Sequence, residues 1–397
     1  MNPEHEKFLI SNYAKPALEI VKGEGSYLWD SNGTKFLDFT SGIAVTNIGH
    51  GHKHWIKKVT KQAEELTHCS NLFSIPEQVK LAKRLVDKIG PGKVLFCNSG
   101  AEANEAMIKF SRLVGKKNAA EKTKLLVAEN GFHGRTIGAL SATSSPKYRE
   151  GFEPLLEGFS FAPLNDLKSF ENLVDEQTVG VMLESIQGEG GIRVAEDKFL
   201  QGLENLCRAK NLLFLLDEVQ AGIGRTGEFL GFQKSGVRPD AVAIAKGLGG
   251  GFPIGAIWIS EKWSDTFQPG SHGTTFGGSP LACSAANSVL DVLEQENLIL
   301  GAKEKGQFLK DGLEKLKIKF PDLIEVVRGR GLMLALVLKD TPTRLIELLR
   351  QSQLLVVGAA ENSIRYLPPL TVTENELQEK KKKTGNALSL VQKEQRK

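Results

Sequence analysis

The chain has few cysteines: four in 397 residues, Cys69, Cys97, Cys207 and Cys283, with no C-x-x-C pair. That density excludes a disulfide scaffold and makes reduced thiols the expectation. Long hydrophobic runs are missing too. Stretches such as residues 212–216 and 332–338 fall far short of the roughly 18 residues of a membrane span. The opening MNPEHEKFLI has no basic region followed by an apolar one, so no secretory leader is expected. An excess of one charge is also absent. With 51 Lys and Arg against 47 Asp and Glu, the net charge of +4 does not suggest a nucleic-acid surface but suits small anionic substrates. The sequence carries no internal repeat and no G-x-x-x-x-G-K-[ST] phosphate loop. A cytoplasmic protein is expected.

Glycine is plentiful. Its 41 occurrences exceed the roughly 7% average and predict tight turns or close backbone approaches to a ligand. YLWDSNGTKFLDF reads as a hairpin around Ser-Asn-Gly, and helical spacing follows over residues 56–66 and from Pro76. From Lys93 the pattern alternates. VLFCNSG, KLLVAENGFHG, VGVMLESIQGEGG, LLFLLDEVQAG and AVAIAKGLGGG are apolar runs ending in polar or glycine-rich residues, with helical segments between some of them. This predicts an α/β fold with a mostly parallel sheet covered on both faces. The expected organisation is an N-terminal segment (1–60) packing with a smaller unit, a large unit (61–288), and a small C-terminal α+β unit (289–397). The run Lys380–Lys383 reads as a solvated helix face.

Each polar cluster follows the carboxyl end of a strand, where ligands bind in open α/β sheets. Asp217 ends LLFLL and Lys246 ends AVAIA, so both should lie at one sheet edge. The glycines of GLGGGFPIGA after Lys246 let a ligand approach its amine. A carboxylate that keeps a pyridinium protonated, with a lysine that forms an imine, is the pairing that pyridoxal phosphate requires. NSGAEANEA offers a phosphate site, since Ser99, Gly100 and Ala101 lie where a strand turns into a helix N-terminus. Thr274 and Thr275 in SHGTTFGG form a second hydroxyl-and-glycine loop, and Phe132 and His133 offer a ring for the cofactor face.

NSGAEANEA, NGFHGRT, QGEGG, LLDEVQAGIGRTG, AKGLGGGFPIGA, GTTFGG and RYLPPL, in this order over residues 13–370, resemble the class III (ω-) aminotransferases of fold type I. Within that family, SGIAVTNIGHGH, QGEGGI, SHGTTFGGSPLAC and RGRGLM are similar to the branch acting on N-acetylornithine. The resemblance implies the PLP-dependent transferase fold type I and a homodimer with shared active sites. It implies Lys246 as the Schiff-base lysine, Asp217 as partner of the ring nitrogen, Gln220 as a contact to the ring hydroxyl and Phe132 as the stacking ring. Gly100, Ala101 and Thr275 become phosphate contacts, the threonine loop coming from the neighbouring subunit. Arginine grips carboxylates with a two-pronged fork. Glutamate has two carboxylates, which assigns Arg365 to the α-carboxylate and Arg135 to the distal one. An ω-amine donor brings no carboxylate beside the reacting carbon, and the resemblance gives Glu189 the task of pairing with Arg365 then. Tyr13 resembles a position holding the α-carboxylate end of an ornithine-type substrate. One departure is Glu184-Ser185, where the family commonly has Glu-Pro.

Blander readings compete. GIGRTG matches G-x-G-x-x-G, but DEVQA separates it from its strand and EFLGF follows, unlike a dinucleotide fingerprint. GHGHKH sets His50, His52 and His54 at alternating positions without a carboxylate or cysteine nearby in sequence, so a turn before a helix is expected rather than a metal site. Structural ion pairing is the plain alternative for Arg135 and Arg365. Other readings of the whole stay open: ornithine, succinylornithine, N-succinyldiaminopimelate or 4-aminobutyrate transamination, an aminomutase, or a nucleotide-binding protein without enzymatic activity.

Overall fold

The structure, a computed structural model, describes residues 5–396, so positions 1–4 and 397 of the expected terminal units lie outside it. Its centre is a seven-stranded sheet. In spatial order the strands are Gly92–Cys97, Gly255–Ser260, Ala241–Ile244, Leu213–Asp217, Thr178–Glu184, Lys124–Ala128 and Phe159–Ala162. Gly255–Ser260 runs antiparallel to both neighbours, and the pairs from Ala241–Ile244 to Phe159–Ala162 are parallel.

Burial on both faces explains why the strands read as unbroken apolar runs. Along Leu213–Asp217 every residue is buried. Leu213 and Leu215 join a cluster with Met107 and Phe110 of the helix Gly100–Asn118. Phe214 and Leu216 point the other way, toward Leu203 and Cys207 of the helix Asp197–Lys210. The period of two along the strand thus divides its side chains between two helical layers.

The predicted hairpin is present as Tyr27–Asp30 and Lys35–Asp38. Its second strand pairs in parallel with Leu354–Leu355, tying the start of the chain to its last third. A further four-stranded sheet runs Ile324–Arg330, Met333–Leu338, Ser363–Tyr366 and Val357–Ala359. The helix Pro280–Gln295 crosses position 288, so the chain leaves the central sheet along a continuous helix.

One expectation is corrected. In the helix Glu374–Gln395, Lys380 is not solvated: it is buried with Leu377, Thr384, Ala387 and Leu388, and its ammonium lies 3.7 Å from the centre of the Tyr366 ring. The helical period sets Lys380 on the core face, while Lys382 stays exposed.

Candidate active site

The loops that follow the strands Gly92–Cys97, Lys124–Ala128, Thr178–Glu184, Leu213–Asp217 and Ala241–Ile244 carry Ser99, Phe132, Glu189, Gln220 and Lys246 respectively. Asp217 is the most constrained of the groups at this edge. Its Oδ2 accepts from Asn104 Nδ2 at 2.7 Å and lies 2.8 Å from His133 Nδ1, while Oδ1 accepts from the Val219 N–H at 2.9 Å. Burial alone would lower the His133 pKa, but its hydrogen bond to Asp217 and that carboxylate's charge outweigh burial and raise it. Held this way, Asp217 keeps a lone pair on Oδ1 for one more donor.

Lys246 takes a left-handed backbone, φ 45°. This conformation is uncommon for a non-glycine residue and recurs at functional sites. Burial lowers its amine pKa, opposed by the charge of Glu189 and reinforced by Arg365.

Arg365 is buried, and its fork is filled by Glu189: Nη1 to Oε1 at 2.6 Å and Nη2 to Oε2 at 3.0 Å. It also donates to the carbonyls of Gly188 and Gly358 and, at 3.3 Å, to Gln220 Oε1. A Cβ at Gly188 would lie 2.4 Å from the Gln220 amide, so a larger residue there would displace the Gln220 side chain. The structure pairs Glu189 with Arg365; the further contact of Arg365 with Gln220 was not expected from sequence.

Glu184 supports the same loops. Its Oε1 accepts the Phe132 N–H at 3.0 Å and its Oε2 the Gly188 N–H at 2.9 Å. Burial, with Asp217 nearby, pushes its pKa up to about 7. On the adjoining strand end, Glu218 accepts from the Gly231 and Phe232 N–H groups, and burial raises it also to about 7. Ser185, the departure from the family's proline, is buried with its hydroxyl beside Glu218.

At the turn expected to hold a phosphate, a helix begins directly after Ser99. Ser99 caps the helix Gly100–Asn118 by accepting from the Glu102 N–H at 3.1 Å, which leaves the N–H groups of Gly100 and Ala101 for an anion. A Cβ at Gly100 would meet Val219 Cγ1 at 2.6 Å, so a larger residue there would force Val219, in the turn after Asp217, to shift. Thr274 Oγ1 accepts from Asn98 Nδ2 and the Gly277 N–H, so its hydroxyl braces its own loop. Thr275 is exposed on that loop.

Tyr13 is 84% exposed, and no contact of it with the groups around Lys246 is described. Arg135 is exposed as well. Its guanidinium carbon lies 4.2 Å from the centre of the Tyr148 ring and 5.5 Å from that of Phe132. A cavity of about 300 Å³ opens here, lined among others by Phe132, Lys147, Tyr148, Glu189 and Ala359.

Four residues at this site were not assigned these roles from sequence: Asn104, Glu184, Tyr148 and, as the partner of Asp217, His133. Asn104 and His133 lie inside quoted motifs, but their meeting at Asp217 joins positions far apart in the chain. His50, His52 and His54 face three different carboxylates, Asp38, Glu296 and Asp291. Arg225 of GIGRTG is buried and donates to the Leu332 and Pro368 carbonyls and to Asn47 Oδ1.

The donor set fits pyridoxal phosphate. A buried amine, a carboxylate with a free acceptor position and a helix N-terminus for phosphate stand at one sheet edge. Asn104 Oδ1, His133 Nε2 and Arg365 Nε are buried with no hydrogen-bond partner among the described residues. Such groups mark polar sites that meet a ligand or water.

Comparison with known proteins gives a consistent result. The family "Aminotransferase class-III" matches residues 10–388. An acetylornithine aminotransferase of Caldanaerobacter subterraneus is 44% identical over 377 residues, covering 94% of this chain and 95% of that one. Its counterpart in Aquifex aeolicus is 45% identical over 372 residues, covering 93% and 96%. Among solved structures, the ornithine aminotransferase of Toxoplasma gondii superposes with a TM-score of 0.95 at 32% identity, covering 98% of this chain and 94% of that one. An acetylornithine aminotransferase of Elizabethkingia anophelis superposes with a TM-score of 0.86 at 33% identity, covering 97% of each.

Proposed function

Because the chain belongs to the class-III aminotransferases, we propose that it moves the terminal amine of N-acetylornithine to 2-oxoglutarate, a step of arginine biosynthesis. The products are N-acetylglutamate semialdehyde and glutamate. Relatives acting on acetylornithine, similar over nearly the full length of both chains, support this donor.

Bound pyridoxal phosphate supplies an electron-withdrawing ring and a carbon that receives and returns the amino group. Lys246 would hold it, with Asp217 at the ring nitrogen, Gln220 at the ring hydroxyl, Phe132 on the ring face, and Ser99, Gly100 and Ala101 at the phosphate. Asp217, fixed by Asn104, His133 and Val219, would keep the proton on the ring nitrogen. Lys246 Nζ, made less basic by burial, would be released when the substrate amine takes its place, and would then take the proton from the reacting carbon of the substrate and deliver it onward to complete the transfer.

The observation that carries the substrate reading is the contrast between two arginines. The fork of Arg365 is closed by Glu189, whereas that of Arg135 faces no carboxylate among the described residues. In this state the site suits a donor with no carboxylate beside its reacting carbon and one at its far end. N-acetylornithine is such a donor. When glutamate or 2-oxoglutarate enters, Glu189 must release Arg365 to the α-carboxylate. The distal carboxylate then reaches Arg135 along a chain one carbon shorter.

The homodimer reading is supported by exposed large apolar side chains, among them Ile10 (88%), Leu72 (87%) and Phe276 (62%). Exposed apolar groups of this kind mark contact surfaces. Thr275, beside Phe276, would reach the partner's phosphate site. The four free cysteines suit a cytoplasmic location.

The test is glutamate production from 2-oxoglutarate by the cofactor-loaded protein with N-acetylornithine, N-succinylornithine, ornithine and 4-aminobutyrate as donors. N-acetylornithine should give the highest kcat/KM, and Lys246→Ala should abolish turnover. A preference for another donor would replace the substrate. No glutamate from any of them would remove the reading.

A further inference from the structure

Arg135 is held in an unusual way for a carboxylate-binding arginine. No acid pairs with it among the described residues. Its guanidinium instead lies over the ring of Tyr148, 4.2 Å from guanidinium carbon to ring centre. Tyr148 in turn packs edge-on against Phe132, with centroids 5.5 Å apart and planes at 78°. The chemistry of the two kinds of partner differs. A carboxylate occupies the in-plane N–H donors of a guanidinium. A ring takes its flat face and leaves all five donors free. Fixing an arginine with an aromatic therefore orders the cation without filling its fork.

Tyr148 is itself firmly placed. It lies in the short helix Pro146–Arg149, just after Thr143 and Ser144. Those two hydroxyls accept the N–H groups of His133 at 3.0 Å and Asn130 at 2.7 Å. Phe132, between them in sequence, donates its N–H to Glu184. The segment 143–148 is thus tied to the loop 130–133, and the Tyr148 ring is held against Phe132 of that loop.

We propose that Tyr148 is a positioning residue. It holds Arg135 with its fork open at the distance from the cofactor where the far carboxylate of the substrate arrives, and so sets the preference for carboxylate-bearing ω-amine donors. This rests on the reading of Arg135 as the carboxylate clamp, and it adds the residue that makes the clamp selective.

The experiment uses the loaded enzyme and two donors: N-acetylornithine, and N-acetylputrescine, which is the same molecule without the carboxylate. Tyr148→Ala should raise KM for N-acetylornithine about two- to fivefold, the size expected of one cation–π contact to an exposed arginine, with kcat little changed. Turnover of N-acetylputrescine should be insensitive to the change. Tyr148→Phe, which keeps the ring, should restore the parent KM. In an Arg135→Ala background Tyr148→Ala should have no further effect, because the two act through one contact. If Arg135→Ala leaves the KM for N-acetylornithine unchanged, the clamp itself is misassigned. If Arg135→Ala raises KM but Tyr148→Ala does not, the clamp stands and the role of Tyr148 is overturned. Equal losses with both donors, or a Tyr148→Phe variant as impaired as Tyr148→Ala, would overturn it too.

Discussion

Lys380 illustrates how one residue can carry a cost that its neighbourhood tolerates. Its ammonium lies over the face of Tyr366 with no carboxylate paired to it among the described residues, and burial lowers its pKa well below the ordinary value. The ring offsets part of the desolvation but not all of it. In the unfolded chain this lysine titrates at its usual value near 10.4, so between the lowered folded pKa and that value the unfolded state binds more protons than the folded one. Stability therefore rises with pH between the lowered folded pKa and the unfolded one, and is lost as pH falls through that window. Lys380→Met keeps the stem and removes the charge. It should stabilise the protein at neutral pH by about 1–3 kcal/mol and flatten the rise toward alkaline pH. Urea unfolding at neutral and alkaline pH measures both. A Met variant less stable than its parent at neutral pH would mean that the cation–π contact outweighs desolvation.

At the scale of elements, the site is a set of strand ends whose loops must be held in register, and Glu184 is the residue that joins two of them. One carboxylate oxygen fixes the loop bearing Phe132 and the other the loop bearing Gly188 and Glu189. Its pKa of about 7, raised mainly by burial, exceeds the ordinary carboxyl value near 4.3. A raised acid contributes stability that is fully present below the unfolded value and is lost as pH climbs through about 7. Glu184→Gln would remove that titration, but its NH2 would face one of the two backbone N–H groups, a donor against a donor, at a cost of about 1–3 kcal/mol. The expected outcome is a lower melting temperature, a weaker stability change from mild acid to neutral pH and a raised KM for N-acetylornithine. An unchanged KM would mean that the loops keep their places without Glu184. Little of this was legible in sequence. Asp217 and Lys246 stood out because each ends an apolar strand and one is followed by glycines. Ser99–Ala101 stood out because a strand turned there into a helix. The partners Asn104, His133 and Glu184 act across separate strands, and only the folded sheet brings them together. Lys380 was hidden in a run of four lysines, where composition suggests solvent and only the helical phase reveals the core.

Over the whole molecule, the parts of the chain meet at Arg225. The motif GIGRTG, which imitates a dinucleotide fingerprint, places this arginine in the turn region after Asp217, fully buried. Its guanidinium donates to the carbonyls of Leu332 and Pro368, from the last third of the chain, and to Asn47 Oδ1, from the first sixty residues. The bonds are returned. Asn47 Nδ2 donates to the Ile223 carbonyl at 3.0 Å, and the Leu332 N–H to the Arg225 carbonyl at 3.0 Å. One side chain thus binds three acceptors from two distant regions, and the central sheet is tied to the segment that carries Arg365. The site needs this tie, because Lys246 and Asp217 come from the sheet whereas Arg365 comes from the strand Ser363–Tyr366. Arg225→Met fills most of the volume and removes every donor. Breaking a buried charged network of this kind costs about 3–5 kcal/mol, enough to lower the unfolding temperature clearly. The damage should also be specific. Arg365 would be held less firmly, so KM for 2-oxoglutarate should rise more than KM for N-acetylornithine, whose carboxylate is proposed to meet Arg135. Calorimetry and steady-state kinetics with each substrate varied test the two halves. A variant that melts like its parent would show that these acceptors find other partners. A stability loss with both KM values shifted equally would place Arg225 in the scaffold alone, with no particular bearing on Arg365.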